Sequence, residues 1–109
     1  MSTHSARRAA PADSTSVPAT ACFSVHAAAD CSVMPRVVQV FAKRGLLPSQ
    51  LHSSLGGDDG DQLQIDVQVP DVDARTADLL AQSLRQIVMV ECVLTSEKRP
   101  AEAGEARAA

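Results

Sequence analysis

Aromatic residues are almost absent from this sequence, which has two phenylalanines and neither tryptophan nor tyrosine among its 109 residues. Proteins that bind single-stranded nucleic acids stack the bases on aromatic side chains, so this class of function is disfavoured. Basic residues are not in excess either, because the formal net charge is −3, and no basic patch is available for a phosphate backbone. We therefore predict no nucleic-acid partner and a core built mainly from aliphatic side chains.

Cysteines are few, and Cys22, Cys31 and Cys92 show no C-x-x-C spacing. Their odd number and their positions indicate neither a zinc site nor a disulfide framework, so we predict three reduced thiols in a cytoplasmic protein. No apolar run approaches the roughly 20 residues that a membrane-spanning helix needs, and no membrane contact is predicted. No cofactor-binding or metal-binding motif is present, so we predict neither a cofactor nor a metal ion.

Two polar ends enclose the part of the chain that has a regular pattern. Residues 1–20 are rich in Ala, Ser, Thr and Pro, residues 97–109 are polar, and neither segment shows a hydrophobic period. We predict that both are disordered tails around one domain of residues 21–96. A domain this short has a small core, which makes self-association a reasonable expectation.

The hydrophobic period of the central domain switches between strand-like and helix-like values. Four segments have the pattern of strands, either alternation or a high content of β-branched residues: 21–26, 49–55, 62–69 and 88–95. Residues 73–87 have helical spacing, and Asp73 is the predicted N-cap. The apolar stripe of this helix consists of Ala77, Leu80, Ala81, Leu84 and Ile87.

The segment "DCSVMPRVVQVFAKRG", residues 30–45, predicts a second helix that precedes the other in the chain. Lys43 and Arg44 are predicted in its last turn, where cations complement the helix dipole. Gly45 is predicted to adopt the left-handed conformation that ends many helices. The predicted buried face consists of Val33, Met34, Val37, Val38, Val40 and Phe41.

The start of this helix is set by Pro35, because proline is tolerated only in the first helical turn. Ser32 rather than Asp30 is therefore the predicted N-cap. The loop before it leads into a helix N-terminus, whose unpaired N–H groups and partial positive charge suit a carboxylate. Two interpretations stay open: the loop binds a ligand, or Ser32 only caps its own helix.

The predicted order of elements is β-α-β-β-α-β. Strands that alternate apolar and polar residues need one covered and one open face, and two helices with one apolar stripe each can cover the first. The predicted fold class is therefore α+β, a ferredoxin-like βαββαβ two-layer sandwich. Right-handed crossovers give the antiparallel sheet the order 4-1-3-2, with the second and fourth strands at its edges.

Residues 30–45 resemble the signature of ACT domains, above all those of acetolactate synthase small subunits. There the loop commonly reads Asn/Asp-x-Pro-Gly and leads into a helix that carries Arg-Val and ends in Arg-Gly. The resemblance extends through "LQIDVQV" and "TADLLAQSLRQIVMVECVLTSEK", where the short small subunits of the second acetolactate synthase isozyme look similar. The positions that match the signature are Asp30, Val33, Met34, Arg36, Val37, Phe41, Arg44 and Gly45.

Cys31 and Ser32 depart from the signature, since they stand where the family often has proline and glycine. The short isozyme-type subunits also lack this pair, and they support a large catalytic subunit rather than confer strong feedback inhibition. The resemblance therefore implies a non-catalytic regulatory module that supports acetolactate synthase in branched-chain amino-acid biosynthesis. Its partner would be the large catalytic subunit, which would hold any thiamine diphosphate. The alternative is a stand-alone amino-acid-binding sensor of the same fold.

The resemblance also implies how copies of the chain assemble. Family members usually pair side by side into a continuous eight-stranded sheet, with small amino-acid effectors at the dimer interface, so a homodimer is implied here. The residues implied for effector binding are Asp30, Cys31, Ser32, Val33 and Met34. Those implied for the dimer edge are Gln50, Leu51, His52 and Ser53.

We predict no enzymatic activity and no catalytic residues. Ser24 and His26 lie two positions apart on one strand face, where we expect their side chains to stand parallel rather than converge. His26 and His52 fall on the open face with Asp66 on the strand between them, and a polar solvated surface is favoured over a metal site. Cys22 and Cys92 lie on neighbouring strands, which permits a contact.

Overall fold

The computed structural model of the chain describes residues 19–98, and it contains all six predicted elements. The predicted tails, residues 1–20 and 97–109, lie almost wholly outside the described residues. Neither described helix has the length and hydropathy to cross a bilayer. In chain order the elements are β1 (Ala19–Ala28), α1 (Val33–Ala42), β2 (Gln50–Gly56), β3 (Gln62–Val72), α2 (Ala74–Arg85) and β4 (Val90–Lys98).

The four strands form one antiparallel sheet in the order β2-β3-β1-β4. This is the predicted 4-1-3-2 arrangement, in which each crossover helix packs on the same side of the sheet. The fold is a βαββαβ ferredoxin-like two-layer sandwich, so the predicted fold class is confirmed. The predicted edge strands, β2 and β4, lie at the two margins of the sheet.

The core lies between the sheet and the two helices. Every second residue of β1 is buried, because side chains alternate between the helix side and the open side of the sheet. The rings of Phe23 and Phe41 meet in the core with their centroids 5.6 Å apart and their planes at 59°. No polar or charged side chain within residues 19–98 is buried. The helices contribute Val33, Val37, Phe41, Leu80, Ala81 and Leu84 to this core.

The predicted buried face of α1 is wrong at one position. Val38 is 40% exposed, whereas Met34 and Val40 are half-buried against the core. The fully buried residues of α1 are four positions apart, and Val38 lies about 100° around the helix from Val37 and about 60° from Phe41, which turns it away from the sheet. The predicted stripe of α2 is confirmed.

The end of α1 is closed by a Schellman motif. Gly45 has a φ of +71°, as predicted, and its N–H donates to the Ala42 carbonyl at 2.9 Å. The N–H of Leu46 donates to the Phe41 carbonyl at 3.0 Å, which completes the motif. The α-helix ends at Ala42, so the prediction of basic residues in its last turn is wrong; they lie in the closing turn that follows.

Strand β3 continues past Pro70, although proline ordinarily ends a strand. Ala21 is paired with Val69 and Ala19 with Val72, so β3 has one extra residue in this interval, a β-bulge. Asp71 takes up the irregularity with a φ of +58°. The bulge removes Pro70 from the regular ladder and lets β1 and β3 pair up to Ala19, which belongs to the sheet rather than to the predicted tail.

Strand β4 also exceeds its predicted length. It ends at Lys98, which pairs with Thr20 of β1, so both residues belong to the sheet and not to the predicted tails. A second irregularity lies near the start of β4, where Ala27 pairs with Val90 but His26 pairs with Cys92.

Candidate functional site

The loop between β1 and α1 is closed on itself by Asp30. The Oδ2 atom of Asp30 accepts a hydrogen bond from the Ser32 backbone N–H at 2.9 Å and another from the Ser32 hydroxyl. The carbonyl of Asp30 accepts from the Val33 N–H at 3.1 Å. One residue therefore binds the first two backbone donors at the start of the helix, which are groups that a ligand carboxylate would use.

Ser32 is the N-cap residue of α1, as predicted, but its side chain does not cap the helix. Its backbone is in the right-handed helical region, with φ −79° and ψ −14°, whereas a capping serine usually has an extended backbone. Its hydroxyl donates to Asp30 instead, so the expectation of a Ser32 side-chain cap is wrong. Asp followed two residues later by a backbone donor is the pattern of an Asx turn, and this signal in the sequence could have revealed the role of Asp30.

The Asp30 carboxylate is a fixed negative charge in this loop. Hydrogen bonds from the Ser32 hydroxyl and from the Ser32 backbone N–H hold the pKa of the Asp30 carboxyl below its usual range, and Arg36 makes a smaller contribution. The negative charge lies at the N-terminus of α1, where the helix dipole favours it. It would repel the carboxylate of an amino-acid effector and attract its ammonium group.

The other predicted effector-binding residues offer little to a carboxylate. Pro35 has no N–H, so Met34 supplies the remaining amide of the first turn. The side chain of Val33 is fully buried in the core and reaches no surface. Cys31, within this loop, is exposed. The structure therefore brings the predicted residues together, but the amides of Ser32 and Val33 are already bonded and only that of Met34 remains.

The predicted edge residues, Gln50 to Ser53, all lie in β2, which is exposed along its whole length. The hydrogen bond from the Ala29 N–H to the Asp61 carbonyl, at 3.0 Å, ties the loop between β1 and α1 to the start of β3. Among the described strands, β2 pairs with β3 alone, so its outer backbone groups face away from the sheet.

Two leucines of β2 point to the helix side of the sheet without being covered by a helix. Leu51 and Leu55 are paired with Val67 and Leu63, which are buried, yet they are 39% and 66% exposed. Leu47, in the preceding loop, is 83% exposed. An uncovered strand edge flanked by apolar side chains is typical of a surface that pairs with another chain.

On the open face of the sheet, the Oγ atom of Ser24 and the Nε2 atom of His26 are 3.1 Å apart. The expectation that these side chains stand parallel is wrong, because an imidazole is long enough to lean along the strand to its neighbour. Asp66 does not orient this pair, since its carboxylate accepts hydrogen bonds from Gln64 at 3.2 and 3.3 Å. A nucleophilic serine needs a histidine that a third group holds in place, and within residues 19–98 the His26 ring is hydrogen-bonded to Ser24 alone.

The residues considered for a metal site are spread over the open face. His52 is paired with Asp66, whereas His26 is paired with Gln64 and with Cys92. Within residues 19–98 no three His, Cys, Asp or Glu side chains are grouped as metal ligands would be. Cys22 is paired with Ser96, four positions from Cys92, which separates the two thiols by about 13 Å along the strand.

Comparison with known families and structures agrees with the fold. Residues 14–102 match the family described as ACT-like domain. This chain belongs to that family. ACT domains are regulatory, non-catalytic modules, so the ACT-like chain carries a regulatory domain. No curated protein matches its sequence.

Three solved structures illustrate how widely this fold occurs. The ACT domain of the GTP pyrophosphokinase of Chlorobium tepidum is 13% identical, with a TM-score of 0.58 over 71% of this chain and 96% of that one. The C-terminal domain of the MgtC protein from Mycobacterium tuberculosis is 16% identical, with a TM-score of 0.62 over 79% and 94%. The regulatory subunit of aspartate kinase from Thermus thermophilus, in its ligand-free form, is 14% identical, with a TM-score of 0.56 over 73% and 51%. At these identities the likeness shows the fold alone.

Proposed function

We propose that this ACT-like chain is a small regulatory subunit that supports acetolactate synthase in branched-chain amino-acid biosynthesis and has no catalytic activity of its own. The resemblance of residues 30–45, and of the segments that form β3, α2 and β4, to short acetolactate synthase small subunits supports this choice of enzyme. The contacts of Asp30 support a subunit over a sensor, because they occupy the first amides of α1. Thiamine diphosphate would belong to the large catalytic partner.

An amino-acid effector would meet two obstacles at this loop. Its carboxylate must displace Asp30 from Ser32 or bind with the Met34 amide alone, and it must approach the negative charge of Asp30. A subunit whose role is to support a catalytic partner needs no such ligand. This reasoning favours a structural and regulatory contact with the enzyme over feedback control by a bound amino acid.

The same proposal includes a cytoplasmic homodimer joined along β2. Pairing of two β2 strands would satisfy the outer backbone groups of each edge and extend two four-stranded sheets into one of eight strands. It would also cover Leu51 and Leu55. Fully burying a leucine side chain contributes about 1.5–3 kcal/mol, so covering these residues favours association.

Co-expression with the large catalytic chain of acetolactate synthase from the same cell tests the proposal. The tagged ACT-like chain should retain the large chain on an affinity column and raise its rate of acetolactate formation. An unrelated thiamine-diphosphate enzyme serves as the control and should be neither retained nor activated. Failure to associate, together with an unchanged rate, would reject the acetolactate synthase assignment.

A stand-alone amino-acid sensor is the second candidate, and one observation favours it. The half-buried carboxylate of Asp30, beside the exposed Cys31, is available to hold an ammonium group. Titration calorimetry with valine, leucine and isoleucine distinguishes the two functions. The subunit proposal expects no heat and no rise in Tm. A heat of binding that Asp30→Ala abolishes would favour the sensor.

A further inference from the structure

A groove of about 640 Å³ lies on the helix side of the molecule, between α1 and the end of α2. Residues spaced by three, four, seven and eight positions share one face of a helix, and the α1 wall has this spacing. That wall consists of Arg36, Gln39, Val40, Lys43 and Arg44. The opposite wall consists of Ser83, Gln86, Ile87 and Val88. Neither the loop between β1 and α1 nor β2 contributes a residue to the lining of this groove, so the groove is separate from both.

Positive charge is concentrated in this groove although the chain as a whole is acidic. Three of the six basic residues between positions 19 and 98 line it, whereas none of the ten acidic residues in that range does. The three in the groove are Arg36, Lys43 and Arg44; the other three are Arg75, Arg85 and Lys98. Such an uneven distribution indicates a surface that is complementary to negative charge.

The cations of the groove are not needed to stabilise the end of α1. The carbonyl groups of Phe41 and Ala42 are already bonded by the amides of Leu46 and Gly45, so Lys43 and Arg44 have no capping role. Arg85 is a contrast, because its Nη2 atom donates to the Val93 carbonyl at 2.9 Å and joins α2 to β4. Lys43 and Arg44 are therefore available to a partner.

The groove also has an apolar part. Val40 and Ile87 are half-buried beneath it and pack against the core, while Val88 is 69% exposed at its end. A bare inorganic anion would leave this apolar surface in water, and a flat anionic bilayer would not enter a concave groove. A polypeptide can supply carboxylates and an apolar side chain from one segment.

We propose that this groove binds an acidic segment of a partner protein. Its carboxylates contact Arg36, Lys43 and Arg44, and an apolar side chain between them covers Val40, Ile87 and Val88. The charged wall extends over eight positions, or about 12 Å along the helix axis, so two carboxylates about two helical turns apart would reach both ends. The segment would lie between α1 and α2 and leave β2 free for self-association.

The test uses the full chain and two fluorescein-labelled helical peptides of equal length. One peptide carries glutamates two turns apart with leucine between them, and the other carries glutamine in place of each glutamate. The test variant is Lys43→Gln with Arg44→Gln. The control variant is Arg75→Gln with Lys98→Gln, which removes the same charge outside the groove. Arg36 is left unchanged because it also acts on Asp30.

Fluorescence anisotropy should show that the wild-type chain binds the glutamate peptide and not the glutamine peptide. The groove variant should bind about tenfold more weakly, and the control variant should stay within about twofold of the wild type. A Val88→Ser variant should also weaken binding, since it removes apolar contact without removing charge.

Three outcomes would overturn the proposal. Equal losses of peptide affinity in the groove variant and the control variant would mean that binding depends on the total charge of the chain rather than on the groove. Absence of peptide binding by the wild-type chain would mean that the groove does not hold acidic segments. Binding to vesicles of phosphatidylcholine and phosphatidylserine that depends on Lys43 and Arg44, without peptide binding, would assign the surface to a membrane. None of these measurements involves acetolactate synthase, so the outcome is independent of the proposed function.

Discussion

The Oδ2 atom of Asp30 lies 2.9 Å from the backbone nitrogen of Ser32 and also accepts a hydrogen bond from the Ser32 hydroxyl. This contact closes the loop before α1 and places a carboxylate of the protein itself at the helix N-terminus, a position that suits a carboxylate. It also gives the loop a dependence on pH.

Replacement of Asp30 by alanine should make the free energy of unfolding less sensitive to acidic pH. The pKa of the Asp30 carboxyl is lower in the folded chain than its unfolded value of about 3.9. The unfolded state therefore binds the proton more readily than the folded state. The stabilisation of the fold by ionised Asp30 is complete above the unfolded pKa and is lost as the pH falls through the folded pKa. Urea denaturation between neutral and strongly acidic pH should show a shallower decline for Asp30→Ala than for the wild type. Asp58→Ala, an exposed hairpin variant, is the control; if Asp30→Ala gave the same decline as the wild type, the Asp30–Ser32 contact would not stabilise the fold.

Loss of the Asp73 cap should destabilise the chain by about 1 kcal/mol. The Oδ1 atom of Asp73 accepts a hydrogen bond from the Thr76 N–H at 2.8 Å, and Asp73 has the extended backbone of a capping residue. Chemical denaturation at neutral pH should therefore show a clear decrease in the free energy of unfolding for Asp73→Ala. The decrease should be small for Asp73→Ser, because serine can still cap the helix. Asp78→Ala, on the exposed side of the same helix, is the control. An equal effect of Asp73→Ala and Asp78→Ala would contradict a specific capping role.

Charge on the helix side of β2 should weaken self-association. Leu55 is 66% exposed on this edge strand, so Leu55→Lys leaves the core intact and would place two like charges near each other in a β2-joined dimer. Leu94→Lys is the matched control, since Leu94 is 60% exposed on the opposite edge strand, β4. Sedimentation velocity should show dissociation at a higher concentration for Leu55→Lys than for Leu94→Lys. The β2 dimer is rejected if only the β4 variant dissociates.

Glycine at position 89 should stabilise the chain. Met89 has a φ of +81°, a left-handed conformation that is unfavourable for a side chain, and its carbonyl accepts a hydrogen bond from the Ala28 N–H at 3.0 Å. The strain that glycine relieves in the folded chain outweighs the larger conformational entropy of glycine in the unfolded chain. Met89→Gly should therefore raise the free energy of unfolding by about 0.5 kcal/mol. Val88→Gly, one residue earlier and without a positive φ, should lower it. Thermal or urea denaturation measures both, and a loss of stability in Met89→Gly would show that its side chain matters more than its backbone.

Much of the fold could be predicted because its signals are local. The strict alternation in β1 and β3 identifies their buried faces, and the helical stripe of α2 identifies its own. Pro35 places the N-cap at Ser32, and Gly45 marks the end of α1, because each residue restricts the backbone in a known way. With the order of elements fixed, the right-handed crossover rule leaves the observed sheet order.

The predictions that were wrong concern features that depend on contacts between residues distant in sequence, or on the length of a side chain. The predicted third strand stops at Val69, but a bulge opposite β1 lets β3 continue to Val72. Ser24 and His26 were expected to stay apart, but the imidazole leans along the strand. Leu51 and Leu55 have the alternation of a covered strand, but they are 39% and 66% exposed at the edge of the sheet.

The sequence by itself determined the elements, their faces and their order, since hydrophobic period and backbone restriction are properties of short segments. Only the tertiary structure decided which groups are exposed and which of them lie together on the surface. It left β2 uncovered and set the basic stripe of α1 beside the end of α2. These are questions of which groups meet across the fold, and no local pattern specifies them.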